Sequence, residues 1–245
     1  MSNEIQQVQT VSKDTIKELT TQTNVPYYIK FTFIITYVLL LTTATITFIE
    51  AMRTNNPTVR HVLNLETAVS LIASYFYSLF VDKISAHDTE KTPIDWSAIT
   101  TARYIDWSIT TPIMLLVLAL TLSGNIKKNV TLSFLVLIIV LNYMMLFIGY
   151  LGETNVMDKW SACIGGFVPF IIMFSLIFYM YVKPVFKLSN YIIFGIFVSI
   201  WSLYGVFYMF NDENKNIGTN VLDCLAKCCF GLGLWVYFSK IVVLA

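Results

Sequence analysis

The sequence predicts an all-α membrane protein, a bundle of seven transmembrane helices, and three observations carry that prediction. Hydrophobic residues make up 56% of the 245 and charged ones 13%, about half the charged share of an average soluble domain. Mean hydropathy is +0.68. The apolar residues are also gathered into seven long runs divided by short polar breaks, and none of the runs alternates polar with apolar as a barrel strand would. This composition excludes a disordered chain and argues against a soluble enzyme. A formal charge of +1 gives no reason to expect a nucleic-acid partner.

In chain order, residues 1–25 are polar and run up to Pro26 through Gln22, Thr23, Asn24 and Val25. They are too long to be the charged start of a signal peptide, so they are expected to form an extracellular tail ahead of one transmembrane domain at 26–245. The spans are predicted at about 27–50, 62–81, 99–122, 130–151, 160–182, 190–210 and 219–240. Each is close to the ~20 residues that cross the hydrocarbon core, and only a helix satisfies its own backbone polar groups there. Alternate loops hold Arg53, Arg60, Lys127, Lys128, Lys183, Lys187 and Lys240 without an acidic residue, whereas the opposite loops, together nearly twice as long, hold six lysines and eleven acidic residues, so basic residues are denser in the first set. Basic residues favour the cytoplasmic side, which predicts an extracellular N-terminus and a cytoplasmic C-terminus. Cys163, Cys224, Cys228 and Cys229 all fall inside apolar runs and read as small buried hydrophobes.

Four charged residues, Arg103, Asp106, Asp223 and Lys227, lie inside the third and seventh spans. Each costs ~2.5–3.5 kcal/mol at a helix centre on insertion scales. Lys227 is about 20 Å from the Lys240 end and about 12 Å from the Thr219 end at 1.5 Å per residue, too far for its stem to reach water. Asp223 precedes it by one turn, on the same face. Arg103 and Asp106 are likewise about one turn apart, with Thr110 a turn further. Two acids facing two cations would be tolerated in low dielectric as a structural ion-pair network, or around a lysine used covalently. Tyr77, Tyr104, Trp107, Trp201, Tyr204 and Tyr208 can line inward faces at mid-depth, a wall that suits an elongated apolar ligand and equally a plain core.

The third span reads Ala102-Arg103-Tyr104-Ile105-Asp106-Trp107-Ser108-Ile109-Thr110-Thr111-Pro112, and the seventh reads Leu222-Asp223-Cys224-Leu225-Ala226-Lys227. The sixth carries Trp201-Ser202-Leu203-Tyr204 and then Tyr208; the fourth carries Met145 and Gly149-Tyr150-Leu151-Gly152-Glu153. In order and spacing these segments resemble the microbial (type 1) retinal rhodopsins, and the fourth resembles the proteorhodopsin branch. The resemblance implies all-trans retinal bound as a protonated Schiff base on Lys227, with Asp106 as counterion and proton acceptor, Asp223 as second counterion and Arg103 on their extracellular side. It also implies that Thr110 hydrogen-bonds Asp106, and that Trp107, Trp201, Tyr204 and Tyr208 box the polyene. Thr111, Met114, Met145, Gly149 and Ala226 would complete the pocket.

Departures from the family pattern bear on function. Eleven residues after Asp106, where outward pumps commonly carry an acidic donor, stands Val117. Gly205 follows Tyr204 in place of a proline, Tyr208 replaces a tryptophan, and Phe76 stands where many proteorhodopsins have histidine. Cys228 and Ala73 occupy positions at which channel members carry asparagine and glutamate. The preferred expectation is a light-driven outward proton pump, a transporter and not an enzyme, that assembles with copies of itself. A light-gated cation channel and a sensory photoreceptor remain as alternatives. Anion pumping would remove the charge at 106, and sodium pumping would replace it. Glu66, eleven residues before Tyr77 on the second span, is a candidate substitute donor. In water beside Arg60 and His61 it would be an ordinary helix-end carboxylate; buried, it would hold a proton at rest and could donate it.

Overall fold

The structure, a computed structural model, describes residues 27–90 and 93–239, with only the backbone for 87–90. The tail at 1–25 and Lys240 lie outside the described residues. Among the described residues seven helices follow one another: α1 Tyr27–Arg53, α2 Pro57–Glu90, α3 Trp96–Asn125, α4 Leu132–Glu153, α5 Lys159–Val182, α6 Leu188–Tyr208 and α7 Asp212–Phe238. All seven are long and apolar enough to cross a membrane, and the chain is a multi-pass membrane protein. The bundle end at which α1 begins is called proximal below, and the opposite end distal.

Helix starts follow capping chemistry and not hydropathy. Pro57 opens α2, where a missing N–H costs nothing, and Asn56 Oδ1 accepts from Thr58 N at 3.0 Å. Asp95 accepts from Ala98 N at 2.9 Å at the head of α3. Before α5, Asp158 accepts from Ser161 N, and this bond holds its carboxyl below the usual carboxylate range. Asn211 Oδ1 accepts from Asn214 N at 3.1 Å, and Asp212 and Glu213 occupy the first turn of α7, where acids complement the helix dipole. As a result α7 begins at Asp212 and α2 at Pro57, earlier than the predicted 219 and 62. An apolar count misses polar first turns that capping and packing keep helical.

The helices close into a ring, with α1 against α2, α4 against α5, and α7 against α1, α2 and α6. In the middle, α3 touches α2, α4 and α6. The usual inside-out rule is partly inverted on α1: Thr36, Thr43 and Thr47 face the bundle, while Phe31, Val38 and Phe48 are exposed to the lipid side. Cys228 is buried, but Cys229 is exposed, which corrects the expectation that all four thiols are buried. In an α7 that packs on only one side, an apolar residue can as well face lipid.

Two helices widen into π turns, at Phe178–Val182 in α5 and at Cys224–Cys229 in α7. The first ends beside a polar clamp at the distal end. Asn190, fully buried on α6, donates to Leu122 O at 3.0 Å and Tyr181 O at 2.9 Å and accepts from Asn125 Nδ2 at 2.8 Å. Tyr237 of α7 donates to Asn125 Oδ1 at 3.0 Å. Four helices are thus tied through otherwise unpaired carbonyls at helix ends. Asn190→Ala is expected to leave these buried acceptors unsatisfied, a loss of about 1–3 kcal/mol, read as a lower midpoint in a helical circular-dichroism melt.

Candidate functional site

Buried charge is concentrated at mid-depth between α3 and α7. Lys227 is 1% exposed, Asp106 and Asp223 0%, and Arg103 4%. Lys227 Nζ lies 2.7 Å from Asp106 Oδ2 and 3.7 Å from Asp223 Oδ1, and Arg103 Nη1 lies 3.4 Å from Asp223 Oδ2. Two cations therefore meet two anions, and the four residues predicted from sequence are brought together. Helical spacing aligns each pair on its own helix, and side chains that reach across between α3 and α7 bring the two pairs into contact. Lys227 itself sits within the π turn of α7, a local widening that often marks functional positions.

Asp223 is the more heavily tied acid. Tyr77 Oη lies 2.7 Å from its Oδ2, and Tyr204 donates to its Oδ1 at 2.7 Å. Among the described residues the Asp106 carboxylate accepts only from Lys227, and its Oδ1 has no hydrogen-bond partner. Thr110 is buried beside it, but its hydroxyl donates to the Asp106 backbone carbonyl at 2.9 Å, so the expected bond to the side chain is not made. A threonine four residues along a helix finds the i−4 carbonyl first.

Arg103 is held from three directions. It donates to Asn216 Oδ1 at 3.0 Å, Asn220 Oδ1 at 2.9 Å and Tyr77 Oη at 3.1 Å, and its guanidinium lies over the rings of Phe33, Tyr77 and Phe80 at 5.0–5.7 Å. Sequence reading placed Tyr77 only in an aromatic wall and missed Asn216 and Asn220. Asn216, Asn220, Asp223 and Lys227 recur at the spacing of one helix face, but Asn216 lies ahead of the span that hydropathy predicts from 219.

A cavity opens from Lys227 along the bundle. It is walled by Trp107, Trp201, Tyr204 and Tyr208, with Thr111, Met114, Met145 and Gly149 between them. Trp107 meets Tyr204 edge to face at 5.6 Å, and Phe197 stacks behind Trp201 at 4.8 Å. Asn142 donates to Thr111 Oγ1 at 2.8 Å, fixing that wall. Ala226, assigned to the pocket by resemblance, is buried but does not line the cavity; its Cβ packs into the apolar core. Glu66 stands apart from this cavity, 2% exposed on the distal half of α2. Its burial excludes the reading of an ordinary carboxylate in water.

Removing one partner of a buried ion pair leaves an uncompensated charge, typically at 3–5 kcal/mol. Asp223→Asn would leave Arg103 and Lys227 facing a single anion, and is expected to destabilise the folded protein by about that amount in a thermal melt. A midpoint equal to that of the unsubstituted protein would show that the quartet is not held by charge balance.

The chain matches the family described as "Bacteriorhodopsin-like protein" over residues 28–241. The crystal structure of viral rhodopsin OLPVRII is 41% identical with a TM-score of 0.80, covering 88% of this chain and 100% of that one. The proton pumping rhodopsin AR2 from the marine alga Acetabularia acetabulum shares the fold at 19% identity and a TM-score of 0.70, covering 89% of this chain and 97% of that one. Green-light absorbing proteorhodopsin of Gamma-proteobacterium EBAC31A08 is 30% identical over 159 residues, 56% of this chain and 60% of the relative, so the match spans less than two thirds of that protein's length. With seven spans, the buried lysine and these relatives in view, the chain belongs to the bacteriorhodopsin-like family, the retinal-binding microbial rhodopsins, which are mainly ion pumps, channels and light sensors.

Proposed function

We propose that the protein is a light-driven outward proton pump, with Lys227 as the attachment site of all-trans retinal and Asp106 as the proton acceptor. The observation that carries this reading is the buried contact of Lys227 Nζ with Asp106 Oδ2 at 2.7 Å. The surroundings fit the cofactor. An amine closes one end of an aromatic cavity, so an elongated apolar aldehyde would meet Lys227 at its reactive carbon and Trp107, Trp201, Tyr204 and Tyr208 along its length. Bound retinal supplies light absorption and a change of shape that re-aims the Nζ–H bond.

The residues of this chain then decide where the proton goes. Two tyrosine hydroxyls and Arg103 already occupy the oxygens of Asp223, in the charge-assisted contacts that are the strong ones. Asp106, with one free oxygen and one cationic donor, takes the proton. That transfer cancels one positive and one negative charge together, so no net charge is created in the core. Arg103, paired with Asp223, lies on the proximal side and opposes return of the cation. The basic residues Arg53, Arg60, Lys127, Lys128, Lys183 and Lys187 all fall at the distal end, which supports a cytoplasmic distal face and outward transfer through the proximal half.

Reprotonation has no acid at Val117, which is fully buried and apolar. We assign the role of donor to Glu66. A Cβ built on Gly231, one turn past Lys227 toward the distal end, would lie 2.8 Å from Glu66 Oε2, so the carboxyl rests on α7 where a side chain at 231 would exclude it. Buried and without a cationic partner among the described residues, it is expected to rest as the neutral acid. The second reading, a light-gated cation channel, draws its support from Val117.

The two readings separate in vesicles reconstituted with retinal. A one-directional current under illumination that persists without a gradient supports the pump; a current that reverses at the cation equilibrium potential supports the channel and overturns the pump. Lys227→Ala is expected to stay colourless. Asp106→Asn is expected to absorb to the red of the unsubstituted protein and to lose outward current by about 100-fold.

For Glu66→Gln, the blue-shifted absorbance that follows a flash is expected to decay about tenfold more slowly and to gain a dependence on bulk pH. Identical decay in the two proteins would mean that the proton enters directly from the distal side.

A further inference from the structure

The proximal half contains a buried ion pair that the steps above do not use. Lys215, in the second turn of α7, places Nζ 2.7 Å from Glu153 Oε2 at the end of α4. Their side chains are 10% and 8% exposed. The same Nζ lies 2.9 Å from Asp212 Oδ1, whose side chain is 52% exposed. The ammonium therefore has two partners, one shielded and one facing water.

Two cavities meet at this pair. The cavity that begins at Lys227 and Asp223 continues past Arg103, Asn216 and Thr219 to Lys215 and Glu153. A second one, about 220 Å³ and mainly polar, lies at the proximal mouth among Ser97, Thr100, Thr101, Tyr150, Glu153 and Asp212. At ~30 Å³ per water it holds several. Thr100 and Glu153 line both, so the Glu153 carboxylate stands in the partition between the reaction site and the proximal surface.

We propose that Glu153 is the proton relay of the exit path and that Lys215 is its gate. This rests on the outward-pump reading above. The relay step is a proton exchange between two carboxyl groups: protonated Asp106 returns to carboxylate as Glu153 becomes the neutral acid, by way of water on the proximal side of the ligand, along Arg103, Asn216 and Thr219. Neutral Glu153 no longer attracts Lys215, which keeps Asp212 as its counterion. Glu153 then gives its proton to water in the mouth cavity, and the restored carboxylate recaptures Lys215 and closes the partition. Because the ammonium is paired in both arrangements, the swap strands no charge in low dielectric. The other groups around Glu153 are Tyr104 of α3, Tyr208 of α6 and Tyr150 of α4, with Cys163 of α5 next to Tyr104 and Tyr208, and Lys159 of α5 over the Tyr208 ring. Two other carboxyls stand nearby, Asp212 in the mouth cavity and Asp158 near Tyr208; both are exposed, Asp158 caps α5 by accepting from Ser161 N, and neither lines the cavity that reaches Lys227.

The test uses the retinal-loaded protein in vesicles, a pH-indicator dye on the proximal side and time-resolved infrared absorption in the carboxyl region. In Glu153→Gln, dark colour should be retained, proton appearance after a flash should be delayed about tenfold, and one transient carboxyl band should vanish. Glu153→Asp should restore both signals. In Lys215→Gln, the same carboxyl band should outlast that of the unsubstituted protein severalfold, since the cation that reclaims the carboxylate is gone. If Glu153→Gln fails to take up retinal, Glu153→Asp should shift the frequency of that band and Lys215→Gln should prolong it; an unshifted band of unchanged lifetime overturns the relay. Proton release with unaltered timing in Glu153→Gln overturns the relay and leaves the pump standing. If the unsubstituted protein cycles in colour without releasing a proton, the pump reading falls, and the relay with it.

Discussion

The contact between Lys227 and Asp106, buried at the centre of the bundle and balanced by Asp223 and Arg103, is the constraint around which the rest of the chain is arranged. A lone ammonium in that position would be intolerable in low dielectric, so α3 must present its charged face to α7, and α7 must present Asp223 and Lys227 together. The tyrosine hydroxyls of Tyr77 and Tyr204 and the amides of Asn216 and Asn220 then occupy the remaining lone pairs and protons. What is left over is informative: Asp106 Oδ1 is an acceptor with no partner, in a site where nearly every neighbouring polar atom is satisfied.

The molecule is also unequal above and below this centre. On the distal side Val117, Leu118, Phe197, Trp201, Phe230 and Leu234 pack into one apolar cluster, and the buried polar groups there are scattered, with Glu66 resting over Gly231. On the proximal side two cavities lead from Arg103 to the surface past Lys215 and Glu153. Cavities with polar walls approach the central charges from one side, and apolar packing covers them from the other. A proton released at the centre meets polar groups on the proximal side at once, whereas one arriving from the distal side has to cross a dry core. This inequality gives the proposed transport its direction without needing a moving domain.

The distal clamp belongs to the same logic. Asn190, Asn125 and Tyr237 join α3, α5, α6 and α7 where helix ends expose carbonyls, and a packed distal end keeps bulk water away from Lys227. The π turn in α7 places the lysine on a stretch whose backbone hydrogen bonds are already rearranged, a local irregularity at the position proposed to carry the chemistry.

The sequence by itself determined the seven spans, because length and hydropathy are local properties that a bilayer reads one helix at a time. It also determined which charges needed an explanation, since Asp223 with Lys227 and Arg103 with Asp106 are aligned by helical periodicity alone. The family motifs then told which aromatic residues surround them. Only the tertiary structure decided which residues from different helices meet: that Tyr77 binds Asp223, that Thr110 turns to its own backbone, that Ala226 faces the core, and that Glu66 is dry. It also decided that 212–218 is helix, so that Lys215 and Asn216 point into the bundle rather than lying in a loop. These outcomes depend on the rotation and depth of each helix against its neighbours. Such quantities arise from packing summed over the whole bundle, and no short window of sequence contains them.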